Sequence, residues 1–374
     1  MRVLHVVTFV GRGNPFGGPV AVMEEQVAKL SDRGFTLTVA AMSDGLVSAP
    51  AVARGAEAVI MGRPVPGSAG WFSGMLAPRT LMRTIRSLPA QDVVHVHLAR
   101  DLFSMLVALA CRARRVPYVV QPHGMLVPKS GLLARIYDAL LTGPVLRGAR
   151  RVFYLTERER TELAPIKWEL SDRNLVPLSN GVVQHSPPLS SRRPYATFAS
   201  RLNARKRPLL FLKASQVAER PRGVRFLICG PDGGELAALR RELENVPRER
   251  RPLLVGGQER PRVLNLLALS KVLVLPSLNE PFPMIALEAL SVGTPVVLCE
   301  SCGIADDVAA YGAGLILADE ASAGDVAAAV AAICGDENTW MRMHRAAAQL
   351  VREKYGIDTV VSTLAGTYRT VVDE

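Results

Sequence analysis

The stretch that decides the fold reads Asn279-Glu280-Pro281-Phe282-Pro283-Met284-Ile285-Ala286-Leu287-Glu288. It follows an apolar strand predicted at 272–275 and opens a helix that we expect to run to about residue 292. Glu280 and Glu288 stand about two helical turns apart, so both can face one side if the loop is tight. The prolines favour such an entry, and the helix start offers backbone amides to an anion. A nucleotide sugar fits this pattern, and so does a capped helix after a buried strand.

Strands and helices alternate on both sides of this stretch. A continuous apolar run at 3–9 predicts a strand buried on both faces, and a second series of strands begins at 196–200. The alternation predicts an α/β fold with two Rossmann-like, doubly wound parallel sheets. Ligands of such sheets bind at the carboxyl ends of the strands, so we expect a cleft there between two domains.

The length of 374 residues predicts two domains. We expect a first domain at 1–183 and a second at 184–355. The polar, proline-rich segment 184–194 is typical of a linker between them. A C-terminal helix at about 356–374 is expected to pack back on the first domain.

The charge of the chain is unevenly distributed. Residues 1–190 hold 22 Lys and Arg against 13 Asp and Glu, whereas the remainder holds 23 against 21. A basic first half can attract phosphates or anionic lipid, and it can equally reflect an arginine-rich composition. No basic module with interleaved aromatic residues indicates nucleic-acid binding. No apolar run approaches 18 residues, so no membrane-spanning helix is expected.

The five cysteines predict buried free thiols, which fits a reducing cytoplasm. Cys299 and Cys302 form a C-x-x-C pair without a second pair or a histidine partner, which argues against a zinc site. No other set of ligands indicates an obligatory metal.

Two loops carry groups suited to phosphate. Arg201 and Lys206 follow a predicted strand, and a guanidinium fork with an ammonium suits a pyrophosphate, although a solvated basic turn is the alternative. Gly17 and Gly18 open the first helix, where glycine lets a backbone approach a ligand. The spacing of the glycines does not match the dinucleotide fingerprint, which argues against an NAD enzyme.

Three histidines follow or occupy predicted strands. His123 lies just past a strand end, where it can hydrogen-bond a sugar hydroxyl or move a proton. His95 and His97 alternate on one strand, and we expect at most one of them to face a given side. We regard His97 as a weaker site candidate and His95 as a core residue.

Together these motifs resemble the retaining GT-B glycosyltransferases of family four. Glu280 and Glu288 resemble the E-x7-E pair of that family, and Arg201 with Lys206 resembles its R-L-x-x-x-K pattern. The resemblance covers essentially the whole chain. Further similar segments are Gly17-Gly18, Pro122-His123-Gly124-Met125-Leu126, Ser179-Asn180-Gly181-Val182 and Gly230-Pro231-Asp232-Gly233-Gly234.

The resemblance implies a role for each matching residue. Glu280 contacts the donor sugar and His123 lies near its reacting carbon, as the two catalytic residues. Arg201 and Lys206 hold the donor pyrophosphate, and Glu288 binds the ribose. The remaining donor-binding residues implied by the resemblance are Gly17, Gly18, Gly230, Pro231, Phe282, Pro283, Met284 and Ile285.

The resemblance also implies a GT-B fold, with an N-terminal acceptor domain at 1–183 and a nucleotide-sugar donor domain at 184–355, and it implies a reaction. A hexose or N-acetylhexosamine passes from a nucleoside diphosphate sugar, with UDP expected before GDP, to an acceptor hydroxyl with retention and without a metal cofactor. The acceptor is an envelope or exopolysaccharide glycan, a lipid-linked glycan, or a small natural-product core such as an aminocyclitol. A GT-B-type sugar-nucleotide epimerase and a non-catalytic nucleotide-sugar-binding protein are the alternatives.

We expect a cytoplasmic protein. Contact with the inner face of the membrane through the basic first domain stays open, because the stretch 132–146 has an amphipathic pattern with Arg135 and Arg147 nearby. A helix that packs on its own sheet is the alternative.

Overall fold

A computed structural model describes residues 1–11, 18–47, 53–65, 75–126, 131–163, 174–217 and 221–374. The chain folds as two compact units: unit 1 comprises Met1–Gly181 and Ile357–Glu374, and unit 2 comprises Val182–Gly356. Each unit contains one parallel sheet joined by helices, so the predicted α/β class with two doubly wound sheets is confirmed.

The sheet of unit 1 has strand order β3-β2-β1-β4-β5-β6-β7 among the described residues. Its strands are β1 (Arg2–Val10), β2 (Thr36–Ser43), β3 (Ala58–Gly62), β4 (Val93–His97), β5 (Tyr118–Gln121), β6 (Arg151–Tyr154) and β7 (Leu175–Pro177). Its helices are α1 (Gly18–Ser31), α2 (Pro78–Ser87), α3 (Leu102–Arg114), α4 (Leu132–Tyr137), α5 (Gly143–Gly148), α6 (Glu157–Leu163) and α14 (Ile357–Asp373). The central strands β1 and β4 are buried on both faces, which explains why their sequences are largely apolar.

The helices of unit 1 end and bend for identifiable reasons. The Asp101 carboxylate accepts a hydrogen bond from the Ser104 amide at 2.8 Å and so caps α3. A π-helical segment, Asp138–Thr142, joins α4 to α5 within the stretch that was predicted as one helix. Arg100 makes two 2.9 Å bonds to Asp138 at the start of this segment.

The sheet of unit 2 has strand order β10-β9-β8-β11-β12-β13 among the described residues. Its strands are β8 (Tyr195–Ala199), β9 (Arg225–Cys229), β10 (Leu253–Gly256), β11 (Val272–Leu275), β12 (Val296–Cys299) and β13 (Gly314–Leu317). Its helices are α7 (Pro208–Ala214), α8 (Leu236–Glu244), α9 (Arg260–Leu269), α10 (Met284–Ser291), α11 (Ala305–Tyr311), α12 (Ala323–Cys334) and α13 (Glu337–Leu350). A π-helical segment, Val351–Tyr355, follows α13.

The segment 184–194, which was predicted to link the two domains, packs onto unit 2. The His185 amide donates to the Ser291 carbonyl at 2.9 Å, and the Arg193 amide donates to Leu269 at 2.7 Å. Arg192 is buried, and its guanidinium bonds the Ser270 carbonyl at 2.9 Å and the Val292 carbonyl. A guanidinium can donate to several carbonyls at once, so this polar segment is anchored to unit 2 through Arg192.

Two expectations from composition can be compared with the structure. Cys111, Cys229, Cys299 and Cys302 are buried free thiols, and Cys334 is a half-buried free thiol. In the described part of the chain, no helix combines the length and the apolar character needed to cross a membrane.

Candidate functional site

In unit 2, two loops at the carboxyl edge of the sheet are paired through their backbones. The Leu202 amide, after β8, donates to the Pro231 carbonyl at 2.9 Å, and the Gly233 amide, after β9, donates to Leu202 at 3.0 Å. A Cβ on Gly230 would lie 1.8 Å from the Ser200 carbonyl oxygen. Glycine at 230 is therefore what allows the two loops to approach this closely.

Lys206 forms a buried ion pair with Glu280. The Lys206 ammonium bonds Glu280 Oε2, and each of the two residues keeps less than a tenth of its surface exposed. Arg205 Nη2 lies 3.4 Å from the same oxygen. Burial lowers the pKa of Lys206, and the Glu280 carboxylate works against this lowering. A carboxylate and two cations thus meet at one point of the sheet edge.

The loop that carries Glu280 is held by the loops beside it. Asn279 adopts a left-handed φ of +47°, and its amide donates to Ser301 Oγ at 2.8 Å. Ser301 in turn donates to Asp319 Oδ1 at 2.8 Å, and the Gly303 amide donates to the Glu280 carbonyl at 2.8 Å. The backbone of Glu280 is therefore fixed independently of its side chain.

The start of α10 lies three residues after Glu280. The first bonds into this helix run from the Ala286 and Leu287 amides to the Pro283 carbonyl at 3.0 and 3.3 Å. The Met284 and Ile285 amides precede them and lie at the open helix start, which is suited to an anion. Phe282 is buried and packs edge-on against Tyr355, with ring centroids 5.8 Å apart.

Glu288 belongs to a different ion pair from Glu280. Its Oε1 atom lies 2.7 Å from Nε of Arg260 on α9. Arg201 is exposed, and its side chain covers Gly233, where a Cβ would lie 2.7 Å from Arg201 Cγ. The structure thus brings Lys206 and Glu280 together, and it places Arg201 against the Gly233 turn. Gly18 is the first residue of α1, and Gly17 lies outside the described residues.

In unit 1, His123 occupies a strained turn after β5. His123 and Gly124 have φ values of +55° and +71°. The Glu159 carboxylate accepts hydrogen bonds from the amides of Gly124 at 2.5 Å and Leu155 at 2.6 Å. Burial raises the pKa of Glu159 to about 7, although these two bonds favour the carboxylate. A left-handed histidine is costly, so this turn needs the support that Glu159 provides.

The prediction that His95 and His97 face different sides is wrong. Their rings stack with centroids 4.4 Å apart and an interplanar angle of 8°. Side chains alternate along a strand with a period of two, so residues two positions apart share a face. Both histidines are buried, as expected for His95.

His97 is bonded to two further histidines. Its Nδ1 atom lies 2.8 Å from His123 Nε2, and its Nε2 atom lies 3.1 Å from Nδ1 of His5 on β1. His95 Nδ1 lies 2.6 Å from the Tyr368 hydroxyl on α14. Burial lowers the pKa of His5 and His123 to about 3 and that of His95 and His97 well below 6.5. The four rings are therefore neutral at pH 7.

A chain of amide side chains lies at the same edge of the unit 1 sheet. Gln26 on α1 donates to Gln121 at 3.2 Å, and Gln121 donates to Asn180 at 3.4 Å. All three residues are buried. His5, Gln26 and Gln121 were not singled out from the sequence, since a lone polar residue in an apolar stretch carries no signal until the order of the strands is known.

Comparison with known proteins identifies the family. Residues 184–350 match the model described as glycosyl transferases group 1, and residues 17–181 match the model described as a glycosyl transferase 4-like domain. The two matches together cover most of the chain. The chain belongs to the glycosyltransferases.

Curated relatives of this glycosyltransferase carry related names. A D-inositol 3-phosphate glycosyltransferase of Kribbella flavida is 28% identical over 77% of this chain and 73% of its own. A 2-deoxystreptamine N-acetyl-D-glucosaminyltransferase of Streptomyces fradiae is 27% identical over 97% of this chain and 96% of its own.

Solved structures share the fold of this glycosyltransferase. HepE of Anabaena, crystallised with UDP and glucose, has a TM-score of 0.76 at 18% identity and covers 99% of this chain and 100% of its own. The apo galactosyltransferase WaaB, of the lipopolysaccharide outer core, has a TM-score of 0.64 at 16% identity, over 99% of each chain. The likeness at this level of identity establishes the GT-B fold.

Proposed function

We propose that this glycosyltransferase moves a hexose or an N-acetylhexosamine from a UDP sugar to an acceptor hydroxyl, with retention of anomeric configuration. The observation that carries the proposal is the Lys206–Glu280 ion pair beside the open start of α10. Cations, a carboxylate and helix amides at one sheet edge suit a ligand that has both phosphates and sugar hydroxyls.

We assign the donor to unit 2. Arg201 and Lys206 bind the diphosphate, Glu280 accepts hydrogen bonds from the sugar hydroxyls, and Glu288 accepts them from the ribose. Met284 and Ile285 offer their amides to the sugar or the phosphate. The same assignment places the base beside Gly230 and Pro231, with Phe282 and Pro283 shaping the loop. Glu280 already binds Lys206 and Glu288 already binds Arg260, so we expect donor binding to exchange these ion pairs.

We assign the acceptor and one catalytic residue, His123, to unit 1, together with the Gly17–Gly18 turn. We expect no obligatory metal, because Arg201, Lys206 and the α10 amides can balance the charge of the diphosphate. We also expect no protein nucleophile, with the departing phosphate oxygen taking the acceptor proton. The enzyme then works by orienting two substrates and stabilising the leaving group.

The acceptor that we favour is a small polyhydroxylated ring. Two curated relatives that span most of this chain are named for D-inositol 3-phosphate and 2-deoxystreptamine, and both names denote cyclitols. A UDP donor is supported by HepE, crystallised with UDP-glucose, and by TarM, crystallised with UDP and α-GlcNAc-glycerol.

Calorimetric titration tests the donor assignment. The protein is titrated in turn with UDP, GDP, TDP, ADP and NAD, with and without Mg²⁺. We expect UDP to bind without added Mg²⁺, and Arg201→Ala to weaken that binding at least about tenfold, as for the loss of a charged hydrogen bond. Arg248→Ala is the matched control, since Arg248 is an exposed arginine at the opposite, amino end of β10. Binding of NAD alone, or equal losses in both variants, would contradict the assignment.

Turnover separates the enzyme from its alternatives. Incubation with UDP-glucose or UDP-N-acetylglucosamine and a cyclitol panel should give a glycoside whose anomeric proton shows the donor's configuration. A changed sugar nucleotide without an acceptor product would indicate an epimerase, and binding without turnover would indicate a sugar-nucleotide-binding protein. Glu280→Gln should abolish transfer and leave UDP binding within a few-fold of the parent.

A lipid-linked acceptor is the second candidate, and one observation favours it. Leu132, Ile136 and Leu140 recur at helical spacing from α4 into the π segment and are 72%, 45% and 68% exposed. Arg135 and Arg147 are also exposed. This ridge of Leu132, Ile136 and Leu140 with the two arginines combines the apolar and basic groups that favour binding to an anionic membrane surface. Sedimentation with phosphatidylglycerol vesicles tests it, with Leu140→Glu as the disrupted variant. Equal sedimentation of parent and variant, or none by either, would exclude this ridge as a lipid contact.

A further inference from the structure

Three imidazoles of unit 1 form one hydrogen-bonded chain that ends at His123. The chain runs from His5 on β1 through His97 on β4 to the turn after β5, across three adjacent strands of the sheet. The two links are His5 Nδ1···His97 Nε2 at 3.1 Å and His97 Nδ1···His123 Nε2 at 2.8 Å. Both lengths are those of ordinary hydrogen bonds, so each link needs one donor and one acceptor.

The three hydrogen-bonded imidazoles admit only two arrangements of protons. A neutral imidazole carries one N–H, so a ring that donates through Nδ1 must accept through Nε2. If His97 donates to His123, then His5 must donate to His97, and all three rings are protonated on Nδ1. In the opposite arrangement, all three rings are protonated on Nε2. The tautomer of His123 is therefore coupled to that of His5, two rings away.

The two ends of the chain decide between these arrangements. His5 Nε2 and His123 Nδ1 are both buried without a hydrogen-bond partner among the described residues. His5 is fully buried, whereas His123 is half-buried and interacts with the Asn180 side chain, which opposes the lowering of its pKa. A buried N–H without a partner is rarer than a buried acceptor without one. The Nδ1-protonated arrangement is favoured, because it leaves a bare lone pair at the fully buried His5 and puts the N–H on His123, the half-buried ring that interacts with Asn180.

A metal ion is the competing interpretation of this cluster. Nitrogen atoms of His5, His95 and His97 lie within 4.8 Å of one another. The rings of His95 and His97 are nearly parallel, at 8°, so their in-plane lone pairs run side by side instead of converging. His95 Nδ1 is also engaged by the Tyr368 hydroxyl at 2.6 Å. The hydrogen-bonded chain accounts for these ring orientations, and a chelate does not.

We propose that His97 and His5 are positioning residues that hold the His123 ring and fix it as the Nδ1–H tautomer, so that His123 cannot act as a general base. Its Nε2 lone pair, the only one on a neutral Nδ1–H ring, is taken by His97. The proposal rests on the assignment of His123 to the site in the proposed function. Of the two roles open to His123, hydrogen bonding to a sugar hydroxyl and moving a proton, the proposal favours the first.

Two substitutions of His97 separate positioning from mere packing. The amide nitrogen of Asn can take the place of imidazole Nδ1, and that of Gln can take the place of Nε2. His97→Asn therefore keeps a donor towards His123, and His97→Gln moves it away. We expect kcat of His97→Asn to stay within a few-fold of the parent and kcat of His97→Gln to fall at least about tenfold, the value of one hydrogen bond. Binding of UDP should be the same in both variants.

Nitrogen NMR of protein labelled with ¹⁵N-histidine reads the tautomer directly. His123, assigned through a His123→Asn spectrum, should be protonated on Nδ1 and bare on Nε2 in the parent and in His97→Asn. The signature should be lost in His97→Gln. An Nε2-protonated His123 in the parent, or an identical pattern and kcat in the two His97 variants, would overturn the proposal, as would a stoichiometric transition metal that resists chelation.

These experiments distinguish a failure of the proposed sugar transfer from a failure of the proposed His123 tautomer. If the protein transfers no sugar, the proposed function fails, while the spectrum of the parent still reports the tautomer of His123. If either variant does not fold, as judged by circular dichroism, the parent spectrum alone decides the question.

Discussion

The two sheets place different chemistry at their carboxyl edges. In unit 1 most of the polar groups are neutral: four imidazoles and the amides of Gln26, Gln121 and Asn180, beside the Glu159 carboxylate. In unit 2 they are charged, with Lys206 and Arg205 on Glu280 and with Arg260 on Glu288. A neutral network fixes shape without attracting ions, whereas charged pairs can exchange partners with an anionic ligand. One fold repeated twice thus supplies a rigid surface in one unit and an electrostatic one in the other.

Acid should break the neutral network first, and this is the largest effect that we expect. Below pH 6.5 the unfolded chain binds protons at His5, His95, His97 and His123, and the folded unit does not, because burial holds their pKa values far lower. The free energy of unfolding of unit 1 is therefore highest above pH 6.5. It decreases as the pH drops below 6.5, by up to about 1.4 kcal/mol per pH unit for each histidine.

Hydrogen exchange followed by mass spectrometry can measure this effect for each unit. Protection factors, corrected for intrinsic rates, should fall between pH 7 and pH 5 in peptides of unit 1 much more than in those of unit 2. Unit 2 offers His344 as a comparable group, whose pKa burial also lowers. An equal fall in both units would show that the histidine chain does not govern acid stability.

Breaking the charged network should cost less, but it should still be severe. Lys206→Met leaves the buried Glu280 carboxylate with Arg205 as its one remaining ion-pair partner among the described residues, and removal of one partner from a buried pair typically costs about 3–5 kcal/mol. The double variant Lys206→Met/Glu280→Leu should recover most of this stability and should still fail to bind UDP. Urea denaturation measures the first quantity and calorimetry the second. A double variant as unstable as the single one would mean that packing, not charge, holds the loop.

The close approach of the two loops in unit 2 provides a third test. Gly230→Ala places a Cβ 1.8 Å from the Ser200 carbonyl, so a loop must move. We expect a loss of about 1–3 kcal/mol, as for other overpacked sites, together with weaker nucleotide binding. Gly366→Ala, in α14 with open space around its Cβ, is the control and should be neutral or stabilising by up to about 1 kcal/mol. Similar thermal melts for the two variants would contradict the assigned clash.

The smallest effect should come from the exposed ion pair. Arg260 is 41% exposed where it meets Glu288, so water screens the pair. Arg260→Gln should change the free energy of unfolding by less than about 1 kcal/mol. Because Arg260 occupies the carboxylate that we assign to the ribose, UDP should bind at least as well to the variant as to the parent. A loss of UDP binding beyond tenfold would assign Arg260 itself to the nucleotide.

The sequence predicts those features of the molecule that are local. Apolar runs between glycine and proline turns indicate the strands, and their alternation with helices is enough for the confirmed two-sheet class. The start of α10 after Pro283 follows from the same kind of signal. The composition of 184–194 did not show that this segment packs onto unit 2, because polarity alone does not distinguish exposed residues from an arginine that binds carbonyls.

The sequence did not predict contacts between residues that are far apart along the chain. Lys206 and Glu280 are 74 positions apart, and His5 and His97 are 92 apart. Their meeting depends on β8 lying beside β11 and on β1 lying beside β4, and pattern does not give the order of strands in a sheet. The histidine pair at 95 and 97 is a different case, since its common face follows from strand geometry and needed only the correct period.

Because of helix α14, the two units are not completed in the order in which their translation begins. This helix follows all of unit 2 in the chain, yet it belongs to unit 1, where its Tyr368 hydroxyl reaches His95 at 2.6 Å and Asp358 accepts a bond from Arg33 at 3.0 Å through its carbonyl. On the ribosome, the unit that emerges first is therefore the last to be completed. All seven described strands of its sheet precede unit 2, but the surface that α14 covers stays exposed until the whole of unit 2 has been translated. Domains usually fold in the order in which they are made, and here that order is reversed for the step that closes unit 1.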